Sequence, residues 1–438
     1  MRTIITYGTF DLFHKGHYNI LKRAKEQGDY LIVGVTSESY DIERGKLNVR
    51  DDLLTRVKNV EATGFADKII LEEYQGQKIN DIIKYSVDTL VIGSDWIGKF
   101  DYLKEYCEVL YLDRTKDISS TQLREDSGSI LRIGVVTDDA NDSGLVSEAR
   151  YVSGLHIEGV FAPELEVAEE FKKEFELAFA TDDYDALLNK SDLIYIKTGL
   201  GTRYDQAEKA LAAGKPVIIE PPISLDEIKT RQLQELAARK GVAIIERITI
   251  AYLRAFTQLV WYLHGGIIGD VLALKSVLDI GECEPTFLEA QIVSLFAVRK
   301  LFGGQDSPAI KNVFRWNEEN ISYFSGIFEQ RSARGALASV EITEGLGMES
   351  GLTIFGTKGR LNVPGNWFNI GYFQIIPVDP QASIQHYSFN FEGNGFRYLL
   401  QELLIMISNG RTESTRYFNE DSLEGIRLLA DLQRGASA

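Results

Sequence analysis

Apolar positions in the first 126 residues fall into short runs separated by stretches of helical spacing. RTIITYG, DYLIVGVT, DKIILEE, DTLVIGS and CEVLYLD read as strands, and HYNILKRAKEQ, LLTRVKNVEAT and KINDIIKYS read as the helices between them. Strand–helix alternation predicts an α/β domain with a doubly wound parallel sheet, whose ligand site lies at the carboxyl ends of the strands. The polar stretch REDSGS then breaks the pattern, and a fresh strand, ILRIGVV, starts at Ile130. Residues 127–129 are therefore expected to be a linker after a first domain, 1–126. A second alternating run, from HIEGVFAP through SDLIYIKT and KPVIIEPP to VAIIERI, predicts a Rossmann-like domain over 130–250. From Ala251 the pattern changes again. A helical stretch leads to VLALKSVLDIG, ALASVEIT, GLTIFGTKGRLNV and WFNIGYFQIIP, which predict an α+β domain over 251–438 with a mostly antiparallel sheet and one exposed face.

Charge narrows the classes of partner. The net charge is −17, with 64 acidic against 47 basic residues, so the overall field repels nucleic acid and anionic membrane surfaces. No run of eighteen apolar residues predicts a membrane span, and the N-terminus has no signal-peptide pattern, so a cytoplasmic protein is expected. Two cysteines, Cys107 and Cys283, are too few for a disulfide framework or a zinc site and are expected to be buried.

Against this acidic background, histidines and basic residues cluster at three places. In YGTFDLFHKGH, His14 and His17 are three residues apart at the start of a helix that follows a strand, with Gly16 permitting close approach of a ligand to the backbone. A helix start offers unpaired N–H groups and positive potential, and two imidazoles there can donate to a phosphate as charge builds on it. In DRTKDISSTQLRED, Ser119, Ser120 and Thr121 are N-cap types before another helix, flanked by Arg114 and Arg124. The third cluster is Arg44, Lys46, Arg50 and Arg56, a candidate site for a triphosphate and an acceptor phosphate.

These residues carry a resemblance to the glycerol-3-phosphate cytidylyltransferase family of HxGH nucleotidyltransferases. YGTFDLFHKGH, GSDWIGKFDYL and RTKDISST match its three motifs in order, over about residues 1–126. The resemblance implies transfer of a cytidylyl group from CTP, with Mg²⁺, to glycerol phosphate or a related polyol phosphate, giving a CDP-polyol for cell-surface polymer synthesis. It implies catalytic roles for His14, His17, Lys46 and Arg114. Thr9, Phe10, Asp11, Gly16, Asp95, Trp96, Thr115, Ser119, Ser120 and Thr121 would line the nucleotide site, and Arg44 and Arg56 would meet the acceptor phosphate. The chain departs from the family at Ser94, Asp117 and Gly64.

From Ile130 the chain resembles the Gfo/Idh/MocA oxidoreductases, which implies a homodimer formed through the mixed-sheet half. Its expected chemistry is missing at several positions. TDDANDSG places Asp138, Asp139 and Asp142 where a glycine-rich pyrophosphate turn belongs, and Pro221 and Thr249 stand where lysines belong. The expectation is a domain without NAD(P), serving dimerisation or docking. The alternative is a bifunctional enzyme whose second half reduces a keto-polyol phosphate.

Overall fold

A computed structural model describes residues 2–43, 49–74, 76–113, 130–141, 144–152, 154–280, 286–303, 308–318, 321–330, 335–389 and 393–435. The expected linker at 127–129 lies outside them. The chain forms two compact units, the first built mainly on Met1–Leu131 and the second on Arg132–Ala149, Ile157–Phe389 and Gly393–Ala438.

The first unit holds a five-stranded sheet in the order β3-β2-β1-β4-β5, made from β1 (Thr3–Gly8), β2 (Tyr30–Thr36), β3 (Lys68–Glu72), β4 (Thr89–Gly93) and β5 (Glu108–Leu112). All four strand pairs are parallel. Successive residues of a strand point to opposite faces. Ile4 therefore joins Leu21, Ala24 and Val60 in one core, while Ile5 joins Ile82, Leu90 and Leu103 in the other. Helices Lys15–Lys25, Leu53–Glu61 and Gln77–Tyr85 form where the apolar spacing predicts them, and a further short helix, Glu38–Glu43, follows β2. The strand order reverses between β1 and β4, which makes the crevice at their carboxyl ends the topological switch point. Cys107 is half-buried rather than buried, and burial pushes its thiol pKa up.

The second unit carries two sheets. Six strands, β6 (Leu131–Thr137), β7 (Leu155–Phe161), β8 (Phe179–Thr181), β9 (Leu193–Lys197), β10 (Val217–Ile219) and β11 (Ile244–Glu246), lie in the order β11-β10-β9-β6-β7-β8. The pairs β6–β9, β9–β10, β10–β11 and β7–β8 are parallel, around a core that includes Val136, Ile194, Ile196, Leu211 and Ile219. The other sheet has eight strands and is antiparallel except where Val271–Ile280 runs parallel to Ala336–Glu344. The helix Phe287–Phe302 starts with a capping box, Thr286 with Glu289, and buries most of its length. The α/β class, the second Rossmann-like sheet and the mixed sheet all agree with the sequence pattern.

Candidate active site

The switch point brings two loops together: Thr9–His14 after β1, and the single turn Ser94–Trp96 after β4. His14 is the N-cap of the helix Lys15–Lys25, which starts slightly before the HYNILKRAKEQ of the sequence reading. Its extended backbone (φ −136°, ψ 175°) lets Nδ1 accept the Gly16 N–H at 3.0 Å. A neutral ring that accepts at Nδ1 carries its proton on Nε2. His17 stacks on His14 with ring centroids 3.9 Å apart and also meets Phe10 edge-on at 5.5 Å. The two imidazoles thus sit one above the other at a helix start, as the motif predicts.

The loop that delivers them is held in an unusual conformation. Phe10 and Leu12 have φ of 55° and 45°, which costs side-chain-bearing residues about 1–3 kcal/mol each. Gly8 makes room for the Phe10 ring, since a Cβ there would lie 3.0 Å from it. Asp11 is buried, and its Oδ1 accepts the backbone N–H groups of Arg50 and Asp51, both at 2.9 Å. Thr9 is buried as well, donating from Oγ1 to Asp41 at 2.9 Å.

Arg56 is fully buried. Its Nη1 donates to the carbonyls of Thr9 (2.9 Å) and Thr36 (2.8 Å) and lies 3.4 Å from Asp41 Oδ2, while Nε donates to the Asp51 carbonyl. In this state its guanidinium ties the ends of β1 and β2 to the helix Leu53–Glu61. Among the described residues its buried Nη2 finds no hydrogen-bond partner. Trp96 is half-buried against Phe100, with the Lys99 ammonium 5.6 Å from its ring centre. The side chain of Asp95, and Arg44, Lys46, Arg114, Thr115, Ser119, Ser120 and Thr121, lie outside the described residues.

One buried cation escaped the sequence reading. Lys78 pairs with buried Glu72, at the carboxyl end of β3, and its ammonium lies 4.5 Å from the Tyr7 ring centre. Thr36 donates to Glu72, and Tyr7 donates to Asp81 at 2.9 Å. Burial and the nearby Asp81 carboxylate push the Tyr7 pKa well up, so the phenol stays protonated. In the sequence Lys78 is simply one lysine in an amphipathic helix. Only the strand order brings it to the site's edge.

In the second unit, the turn after β6 shows why counting aspartates misleads. Asp139 pairs with Lys197 at 3.1 Å, and Lys197 also donates to the Asn141 carbonyl. Asp138 accepts the Gly199 N–H at 2.7 Å. Asp142 lies outside the described residues. A cavity of about 140 Å³ opens at the ends of β10 and β11, where Pro221, Val293, Ile250 and Phe368 meet Arg247, Glu289 and Asn394. Arg247 donates to buried Glu220 at 2.6 Å, and buried Arg203 holds the Pro221–Pro222 turn through the Glu220 and Pro222 carbonyls.

Residues 5–126 match a family model described as cytidylyltransferase-like, and residues 143–247 match one described as an oxidoreductase family with an NAD-binding Rossmann fold. The glycerol-3-phosphate cytidylyltransferase of Bacillus spizizenii is 48% identical over 130 residues, which is 30% of this chain and all of that protein. The trans-1,2-dihydrobenzene-1,2-diol dehydrogenase of Bos taurus is 24% identical over 310 residues, covering 65% of this chain and 90% of that one. A 3-ketoreductase of Actinomadura kijaniata, solved with NADP and TDP-benzene, superposes with a TM-score of 0.60 at 18% identity, covering 70% of this chain and 98% of that one. The likeness to the ketoreductase shows the fold.

These findings correct the cofactor expectation. A domain without NAD(P) does not stand against the match of residues 143–247 to an NAD-binding Rossmann family. The physical reason is Lys197, which offsets Asp139 at the turn where sequence reasoning saw only carboxylates. The expectation of Mg²⁺ finds no support: among the described residues no group of three or more His, Cys, Asp or Glu side chains is arranged to hold a metal ion. Among the same residues, no helix is long and apolar enough to cross a membrane. Through its first domain, a nucleotidyltransferase, the chain belongs to the glycerol-3-phosphate cytidylyltransferase family, and an oxidoreductase-family domain of the Gfo/Idh/MocA type is joined to it.

Proposed function

We propose that this protein is a CTP:glycerol-phosphate cytidylyltransferase. An oxygen of the acceptor phosphate attacks the α-phosphorus of CTP, the bond to the bridging oxygen of the β-phosphate breaks, and pyrophosphate leaves. The observation that carries the reading is the His14–His17 stack at a helix start on the switch point of a parallel sheet. His14 and His17 donate to the α-phosphate as negative charge develops, where a preorganised donor is worth most. Lys46 and Arg114 assist them. Thr9, Phe10, Asp11, Gly16, Asp95, Trp96, Thr115, Ser119, Ser120 and Thr121 shape the nucleotide site, and Arg44 and Arg56 receive the acceptor phosphate. The domain spans residues 1–126, and the two later domains divide near residue 250. Pyrophosphate release, measured with each of four nucleoside triphosphates against a panel of polyol phosphates, tests the reading. CTP with glycerol phosphate is the pair expected to react, and equal release without an acceptor would overturn it.

For the second unit, the NAD-binding family match supports a nicotinamide dinucleotide site, with Lys197 at the strand ends as the group that would face its phosphates. The bound group would supply hydride chemistry. The nearby strand-end cavity is lined by Arg247, Glu289 and three asparagines together with apolar side chains. The unit is proposed to serve in docking or assembly.

A further inference from the structure

The loop from Thr9 to Phe13 cannot hold its own shape. Leu12 sits in the left-handed region, where residues with a Cβ gain nothing unless their surroundings hold them there. The holding group is visible: the Leu12 N–H donates to Asp51 Oδ2 at 3.0 Å. In return, the Asp51 and Arg50 N–H groups donate to Asp11 Oδ1. Two aspartates some forty residues apart thus exchange backbone bonds, each fixing the other's segment. Asp51 is itself well anchored. It precedes Asp52, whose side chain caps the helix Leu53–Glu61 by accepting the Thr55 N–H at 2.7 Å, and its carbonyl accepts from buried Arg56.

The held conformation reaches the histidines through Phe10. With φ at 55°, its ring lies in the space that Gly8 leaves and edge-on to His17. If Leu12 is released, the path from β1 to the His14 cap can relax, and Phe10 no longer backs the His17 ring.

We infer that Asp51 is a positioning residue for the transfer reaction, acting through the Leu12 amide to hold the loop that sets His14 and His17. The inference rests on the cytidylyltransferase reading for its reaction, but the clamp itself can be read without turnover. Asp51 serves as an acceptor for an amide, so its charge is not what matters, and an asparagine oxygen can replace it. Glycine at position 12 needs no holding, because it adopts positive φ without a Cβ penalty.

The test uses the full-length protein. Asp51→Ala lowers kcat by about tenfold while the KM for CTP stays within about threefold, since a misplaced catalytic group costs orientation more than binding. Asp51→Asn keeps kcat within about twofold, and Leu12→Gly placed in the Asp51→Ala background recovers most of the lost kcat, because its backbone no longer depends on the acceptor. Unchanged kcat in Asp51→Ala, or a double variant no faster than Asp51→Ala, overturns the inference. Hydrogen exchange of the peptide containing Leu12 gives an answer that does not depend on activity. Exchange about tenfold faster in Asp51→Ala and near the parental rate in Asp51→Asn supports the clamp, and a parental rate in both refutes it. Absence of CTP turnover in the unmodified protein would count against the cytidylyltransferase reading alone.

Discussion

The two parallel sheets of this protein offer the same kind of ledge and furnish it differently. At the carboxyl ends of β1 to β4 the first unit places two stacked imidazoles, a buried guanidinium and a buried ammonium. At the end of β6 the second unit places two carboxylates, each engaged by a group of its own neighbourhood, Lys197 for Asp139 and the Gly199 N–H for Asp138. A sheet fixes where a ligand goes. What happens there is decided by which groups line the edge and which of them already have partners. At the first edge the imidazole pair suits a phosphate that gains charge during reaction, while Arg56 and Lys78, already paired with Asp41 and Glu72, build the ledge. At the second edge the carboxylates are compensated by their neighbours.

The comparison can be broken most severely at Arg56. Removing it leaves Asp41, also buried, without its cation, and breaking a buried pair from one side costs about 3–5 kcal/mol. Denaturant unfolding of Arg56→Ala should therefore show the first unit melting well before the second, whose transition stays in place. Simultaneous loss of both transitions, or no change, would contradict the anchoring role. Next in size are the histidines. His14→Ala and His17→Ala should each lower kcat by roughly 10²-fold or more, as for other preorganised donors, with the fold intact by circular dichroism. Near-normal turnover in both would remove them from the chemistry.

A smaller effect sharpens the account of the second edge. NADPH fluorescence titration should show saturable binding, and Lys197→Ala should weaken it by roughly tenfold, about 1.4 kcal/mol, by leaving Asp139 uncompensated. No binding in the unmodified protein would reject the dinucleotide site, and unaltered binding in the variant would reject the role of Lys197. The smallest effect concerns acid. Hydrogen bonds from Arg427 and Arg231 hold the Glu227 carboxyl down at about 2 in the second unit. A depressed folded-state pKa stabilises above the unfolded value, and that contribution fades as pH falls from about 4.5 toward 2. The pair is partly exposed, so its worth is below about 1 kcal/mol. Glu227→Gln should flatten the acid limb of the second unit slightly and leave the first unit's limb alone, as seen in urea midpoints taken across that range.

Much of this was legible in the sequence, and the failures have physical causes. The central strands of both parallel sheets are largely buried apolar runs, and these stand out from their polar flanks. The histidine pair was legible because strand, loop and helix start follow each other directly. The hairpin Ala309–Glu318 with Ile321–Gln330 was not, because Phe314 and Trp316 face outward and blur the polar–apolar alternation. Lys78 and Asp51 were missed for another reason. Each acts on a group distant in sequence, the one through strand order and the other through a backbone amide, and no local spacing announces either. Lys197 shows the same limit in reverse, since a charge count along TDDANDSG omits a partner about sixty residues away.

The central claim is that the first edge carries out cytidylyl transfer. Incubating the full chain with CTP and glycerol 3-phosphate, and following the phosphorus nuclear magnetic resonance spectrum, tests it directly. The account predicts paired diphosphate resonances of CDP-glycerol growing in step with pyrophosphate, and none in His14→Ala on the same timescale. A spectrum in which CTP persists, or in which CMP and pyrophosphate form without a CDP-linked product, would contradict it.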